Sequence, residues 1–186
     1  MKLNGSFSIS QRAGVNYFEM LIQPNIDKLK VDYIDQYIAD TQINTECKFN
    51  WQQAMTEAMA FSQLNCPETL INIPNGRSGL IFEDVNIRAN VALAIDPSKP
   101  VNNWLQKLTG LSHTDISMTL TGDVLGGQFL IPEFVFKLHD KSHGYLLLQG
   151  LSLEQLLAQQ PQVGVYANGT FDGVLPAEFI DGKLSI

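Results

Sequence analysis

Apolar and polar residues alternate along most of this chain with a period of two, which in an extended backbone sends successive side chains to opposite faces. The clearest run is Val85, Ile87, Ala89, Val91, Leu93 and Ile95, interleaved with Asn86, Arg88, Asn90, Ala92, Ala94 and Asp96. It predicts a strand with one oily and one wet face. Thr41, Ile43, Thr45, Cys47, Phe49 and Trp51 repeat the pattern against Gln42, Asn44, Glu46, Lys48 and Asn50. Ile116, Met118 and Leu120 do so against Ser117, Thr119 and Thr121, and Phe134, Phe136 and Leu138 against Val135, Lys137 and His139.

Turn chemistry recurs between such runs: Ala13-Gly14, Gln23-Pro24-Asn25, Pro74-Asn75-Gly76, Asp96-Pro97-Ser98, Gly110, Gly126-Gly127, Asp140-Lys141-Ser142, Asn168-Gly169, Asp172-Gly173 and Asp181-Gly182. Short strands bounded by turns read as antiparallel sheet. The last quarter reads as strand, short capped helix, strand, Asp-Gly turn, strand, Asp-Gly turn and strand. The chain then stops on apolar Ile186, which is expected of a piece of a longer protein. We therefore expect a mainly β fold with two or three short helices, and residues 1–186 as a single β-rich segment.

One helix is predicted after Ser152, where Gln155 three residues on completes a capping-box pattern ahead of Leu156 and Leu157, with Pro161 ending it. A second is predicted over 100–109, with Trp104, Leu105 and Leu108 on one face and Gly110 as C-cap. A third, over 52–59, places Ala54, Met55, Ala58 and Met59 against a sheet.

Composition limits the functions open to such a fold. A chain of 186 residues that is 45% hydrophobic can bury a core. Its 12 basic against 19 acidic residues repel nucleic acid and anionic lipid surfaces alike. It contains no apolar run long enough to cross a bilayer as a helix, and residues 1–9 alternate like a strand, unlike a signal peptide. Cys47 and Cys66 each fall on the less polar side of their segment. They read either as a disulfide, which requires an oxidising compartment, or as two separate core thiols.

Catalytic signatures are absent: there is no nucleophile elbow, phosphate loop, dinucleotide fingerprint or zincin motif. His139 and His143 with Asp140 fit a solvated hairpin bend better than a metal site. Ser112-His113-Thr114-Asp115 is contiguous, whereas a triad converges from separate elements. Asn168-Gly169-Thr170 matches a glycosylation sequon, a short pattern of low specificity. No enzyme activity and no cofactor are expected.

Four segments together carry a family resemblance: Thr121-Gly-Asp-Val-Leu-Gly-Gly-Gln-Phe-Leu-Ile-Pro-Glu-Phe, Leu151-Ser-Leu-Glu-Gln-Leu-Leu-Ala, Gly169-Thr-Phe-Asp-Gly-Val-Leu-Pro and Asp181-Gly-Lys-Leu-Ser-Ile. In order and spacing they resemble the C-terminal region of the YdbH-like family, within the AsmA and TamB group of bridge-like proteins of diderm bacteria. The resemblance implies a long, curved, groove-like sheet in a periplasmic protein anchored in the inner membrane by a segment this chain lacks. It also implies phospholipid as cargo, and as partners the remainder of the full-length protein and an outer-membrane lipoprotein. The region has also carried the label of a dicarboxylate-transport domain.

Under that resemblance, Val85, Ile87, Ala89, Val91, Leu93, Ile95, Ile116, Met118, Leu120, Phe134, Phe136 and Leu138 are the candidate groove lining. An acyl chain needs continuous apolar contact, since each methylene left in water costs about 0.8 kcal/mol. Read by pattern alone, the same faces equally describe an ordinary core packed on the helices or on a second sheet. Two further readings remain. A structural module recruiting a partner by strand addition needs an open sheet edge. A dicarboxylate binder needs clustered cations, and nothing in the spacing of Arg12, Arg77 and Arg88 brings them together.

Overall fold

The computed structural model describes residues 1–34, 36–56, 60–100, 107, 109–137, 142–159, 166–180 and 183–185. Ten strands form one sheet in the order of the sequence, every neighbouring pair antiparallel. They are β1 (Lys2–Arg12), β2 (Val15–Tyr33), β3 (Gln36–Ala54), β4 (Phe61–Ser78), β5 (Leu80–Ile95), β6 (His113–Val124), β7 (Gly127–Phe136), β8 (Ser142–Ser152), β9 (Thr170–Ile180) and β10 (Lys183–Ser185). The result is a mainly β, curved open sheet. Short α1 (Leu153–Ala158) follows β8.

Two hairpins turn on residue pairs in the left-handed region, Ala13-Gly14 and Leu125-Gly126. This geometry matches the twist of the strands it joins. At the end of β5, the hydroxyl and amide of Ser98 both donate to the Asp96 carboxylate, at 2.6 and 3.0 Å. Those two bonds, with nearby Lys99, hold the Asp96 carboxyl below the usual carboxylate range. Ser112 ties the other side of this connection, its hydroxyl accepting from the Asp96 amide at 2.7 Å and donating to the Ala94 carbonyl at 3.2 Å.

Several turn signals lie inside strands. Pro24 is within β2, Pro74-Asn75-Gly76 within β4 and Asp172-Gly173 within β9. Pro24 and Pro74 fall at gaps in the ladder across which the register is kept: β2 and β3 pair at Ile22/Cys47 and next at Asn25/Asn44, and β4 and β5 pair on either side of Pro74 and Asp84. Lys28, Asp40 and Asp84 have positive φ and mark bulges or ladder gaps in β2, β3 and β5. A crease thus crosses the long strands through Lys28, Asp40, Pro74 and Asp84, and bulges of this kind bend a strand and raise its twist. In β9, the Asp172 carboxylate reaches across to accept from the Gly150 amide at 2.7 Å, so the Asp-Gly pair serves the ladder instead of a turn.

The predicted helix after Ser152 forms as α1, the Ser152 hydroxyl accepting from the Gln155 amide at 3.2 Å. The helix predicted over 52–59 does not: residues 52–54 continue β3, paired with β2 through Ala54 opposite Val15. Methionine and alanine pattern there yields to the ladder already running. Lys107 and Thr109 are helical. The remainder of the helix predicted over 100–109, with Trp104, Leu105 and Leu108, lies outside the described residues, as do 57–59, Asp140-Lys141, Pro161 and Asp181-Gly182.

No second sheet covers the first among the described residues, and full burial of apolar side chains is rare. Cys47, Cys66, Val85, Ala89, Ala94, Leu125 and Leu151 are buried. The solvent-accessible surface is 12389 Å². A globular chain of 20.7 kDa would expose roughly 8,900 Å². The excess is what a single layer with an unsealed face must show.

Candidate functional site

Register converts the alternating pattern into continuous apolar rows that cross the strands on one face. The longest uniform row is Ile26–Ile43–Ile71–Ile87–Leu120–Ile131, each residue directly opposite the next from β2 to β7. All of these side chains remain part-exposed. A parallel row runs Phe7–Met20–Phe49–Leu64–Leu93, and the outermost runs Ile9–Phe18–Trp51. Phe7 and Phe18 stack with ring centroids 6.2 Å apart, and Phe18 meets Phe49 edge-on at the same distance. Cross-strand pairs of this kind are what stabilise a sheet face.

Between these rows lies Ile22, opposite Cys47, then Cys66 opposite Val91, Ile116 and Phe136. Cys47 and Cys66 are joined, Sγ to Sγ at 2.07 Å, closing a sequence separation of 19. A polar rung interrupts the oil: Thr45 and Thr69 hydrogen bond to each other at 2.8 Å.

Of the candidate lining, Val85, Ile87, Ala89, Val91, Leu93, Ile95, Ile116, Met118, Leu120, Phe134 and Phe136 share this face, while Leu138 lies outside the described residues. Val85 and Ala89 are buried beneath their neighbours, and Ile95 is exposed at the strand end. Ile71 and Ile131 are brought into the same row by bulges that period-two counting misses, and Ile26 joins it in plain alternation with Met20 and Ile22.

The opposite face is wet. Gln42, Asn44, Asn72, Asn86, Arg88, Thr119 and Thr121, together with Leu70, Ile71 and Ile87, line a concavity of about 450 Å³. Arg88 is the one cation in that lining. Arg12 ends β1 and Arg77 lies near the end of β4, so the sheet does not gather the arginines. His143 lies in β8 opposite Val135, and its supposed metal partners His139 and Asp140 are outside the described residues. Among the described residues no group of three or more His, Cys, Asp or Glu could hold a metal ion. Asn168 is exposed ahead of β9. No helix of the described residues is long and apolar enough to cross a membrane.

A single-layer antiparallel sheet with one polar face and one apolar face left open defines the class of protein at hand. Within that class, the YdbH-like family model, described as Intermembrane phospholipid transport protein YdbH, matches residues 16–186, and the chain belongs to this family. The family is one of lipid transport and is no known class of enzyme. No curated protein and no solved structure matches the chain.

Proposed function

We propose that the apolar face is a groove along which phospholipid passes between membranes, acyl chains lying on the rows and headgroups staying in water beyond them. The observation that carries this reading is the unbroken, part-exposed row from Ile26 to Ile131. At about 4.8 Å per strand it is roughly 24 Å long, more than the ~15 Å that an acyl chain occupies in one leaflet. Seating a dozen methylenes on such a surface offsets about 0.8 kcal/mol of hydration cost apiece, so no polar chemistry is required in the lining. A disulfide on the same face suits the periplasm. In this reading the chain is one segment of a longer protein anchored in the inner membrane.

Lipid extracted from the purified protein tests the proposal. Val91→Asp and Phe136→Asp each place a charge on the apolar face and are expected to abolish co-purifying phospholipid, while Glu154→Ala on exposed α1 leaves it unchanged. Equal recovery from all three would reject the groove.

The outer edge of β1 favours a second reading, strand addition by a partner. Nothing described pairs with that edge, and Phe7 and Ile9 are 71% and 73% exposed. A bound strand would protect β1 amides from exchange and leave lipid recovery untouched.

A further inference from the structure

Three aromatic rings on the apolar face lie directly over glycines of the adjoining strand. Phe82 pairs with Gly76, Phe129 with Gly122 and Phe134 with Gly144 in the ladder. Each glycine is buried and each ring part-exposed. A methyl group built on Gly76 would overlap the Phe82 ring. On Gly122 it would sit 2.6 Å from Phe129 Cζ and 2.9 Å from Val85 Cγ2, and on Gly144 2.5 Å from Phe134 Cδ2. Each ring therefore occupies space that a side chain on the glycine opposite would fill. The geometry is not a general property of glycine on this face: a methyl on Gly173 would meet Leu148 at an ordinary 3.7 Å.

We propose that Gly76, Gly122 and Gly144 set the depth of the groove, by letting Phe82, Phe129 and Phe134 form its floor instead of standing up into the space an acyl chain would take. The inference rests on the groove reading above. A phenylalanine opposite a residue with a Cβ stands off the sheet, roughly perpendicular to it. Laid over glycine, the same ring offers its apolar face to a ligand at the height of a small residue. These glycines are thus specificity-determining positions for acyl chains, although no ligand atom would touch them.

The test uses the full chain, stripped of lipid and titrated with a phosphatidylethanolamine carrying a fluorescent acyl chain. Gly122→Ala and Gly144→Ala are expected to weaken binding by about fourfold for each methylene the lifted ring displaces. Gly173→Ala is expected to bind as the parent does. Adding Phe129→Leu to Gly122→Ala is expected to restore binding although it removes apolar surface, an outcome that mere loss of hydrophobic area cannot produce. Gly144→Ala, whose overlap is with one ring atom at 2.5 Å and others at 3.4 Å, is the variant best able to fold if Gly122→Ala does not. A folded Gly144→Ala that binds like the parent, or a paired variant no better than Gly122→Ala, would overturn the depth role. Absence of binding by the parent itself would instead remove the groove reading.

Discussion

Cys47 and Cys66 join β3 to β4 at a bulge, where the pairing passes from Glu46/Glu68 to Lys48/Asn65. Closing a loop of about 20 residues stabilises the fold by roughly 3 kcal/mol on the chain-entropy account. Replacing both cysteines by serine is expected to lower the urea-unfolding free energy by about that amount; a change below 1 kcal/mol would show that the bridge does not constrain the unfolded chain. Residue by residue, the face was partly legible in advance. Ile87, Val91 and Leu120 follow strict alternation and were placed by counting. Ile71 and Ile131 do not, because the extra residues around Pro67 and Pro132 shift the phase of β4 and β7, and a count of every second residue loses the face at each shift. The Phe-over-Gly pairs were invisible for another reason: each is a contact between strands, and alternation within one strand carries no register.

The hairpin composition of the sheet could be read from turn residues, and α1 from its capping box. Strand lengths could not. Proline and Asp-Gly usually end strands, yet here they sit at bulges and ladder gaps inside runs as long as 19 residues. Local chemistry states that the backbone departs from ideal pleat; whether the chain reverses or merely bends is decided by the neighbouring strands. The crease at Asp84 has a direct test. Its φ of 48° is in the left-handed region, eased by the Asn86 side chain donating to its carbonyl at 2.8 Å. Asp84→Val is expected to cost about 1–2 kcal/mol, and Asp84→Gly to be neutral or stabilising. If urea unfolding shows valine tolerated as well as glycine, the crease does not depend on that conformation.

At the scale of the whole molecule, the sheet is one wall with no opposite wall among the described residues. Ten strands at about 4.8 Å stack to roughly 50 Å, and they shorten from 19 residues in β2 and β3 to 11 in β8 and β9, so the apolar face narrows along its length. Both the surplus of exposed surface and the rows that reach the β1 edge follow from this arrangement. Sequence pattern alone could not separate an open face from a sealed core, because half-burial in a groove and half-burial under a helix require the same alternation. The distinction is one of occupancy, and it can be measured. A phospholipid bearing a photoreactive diazirine on its acyl chain, crosslinked to the purified protein and mapped by mass spectrometry, should mark Ile43, Ile71, Ile87 and Leu120 while sparing their alternate neighbours Gln42, Asn72, Arg88 and Thr119. Crosslinks confined to the polar neighbours, or none at all from a folded protein, would contradict the account.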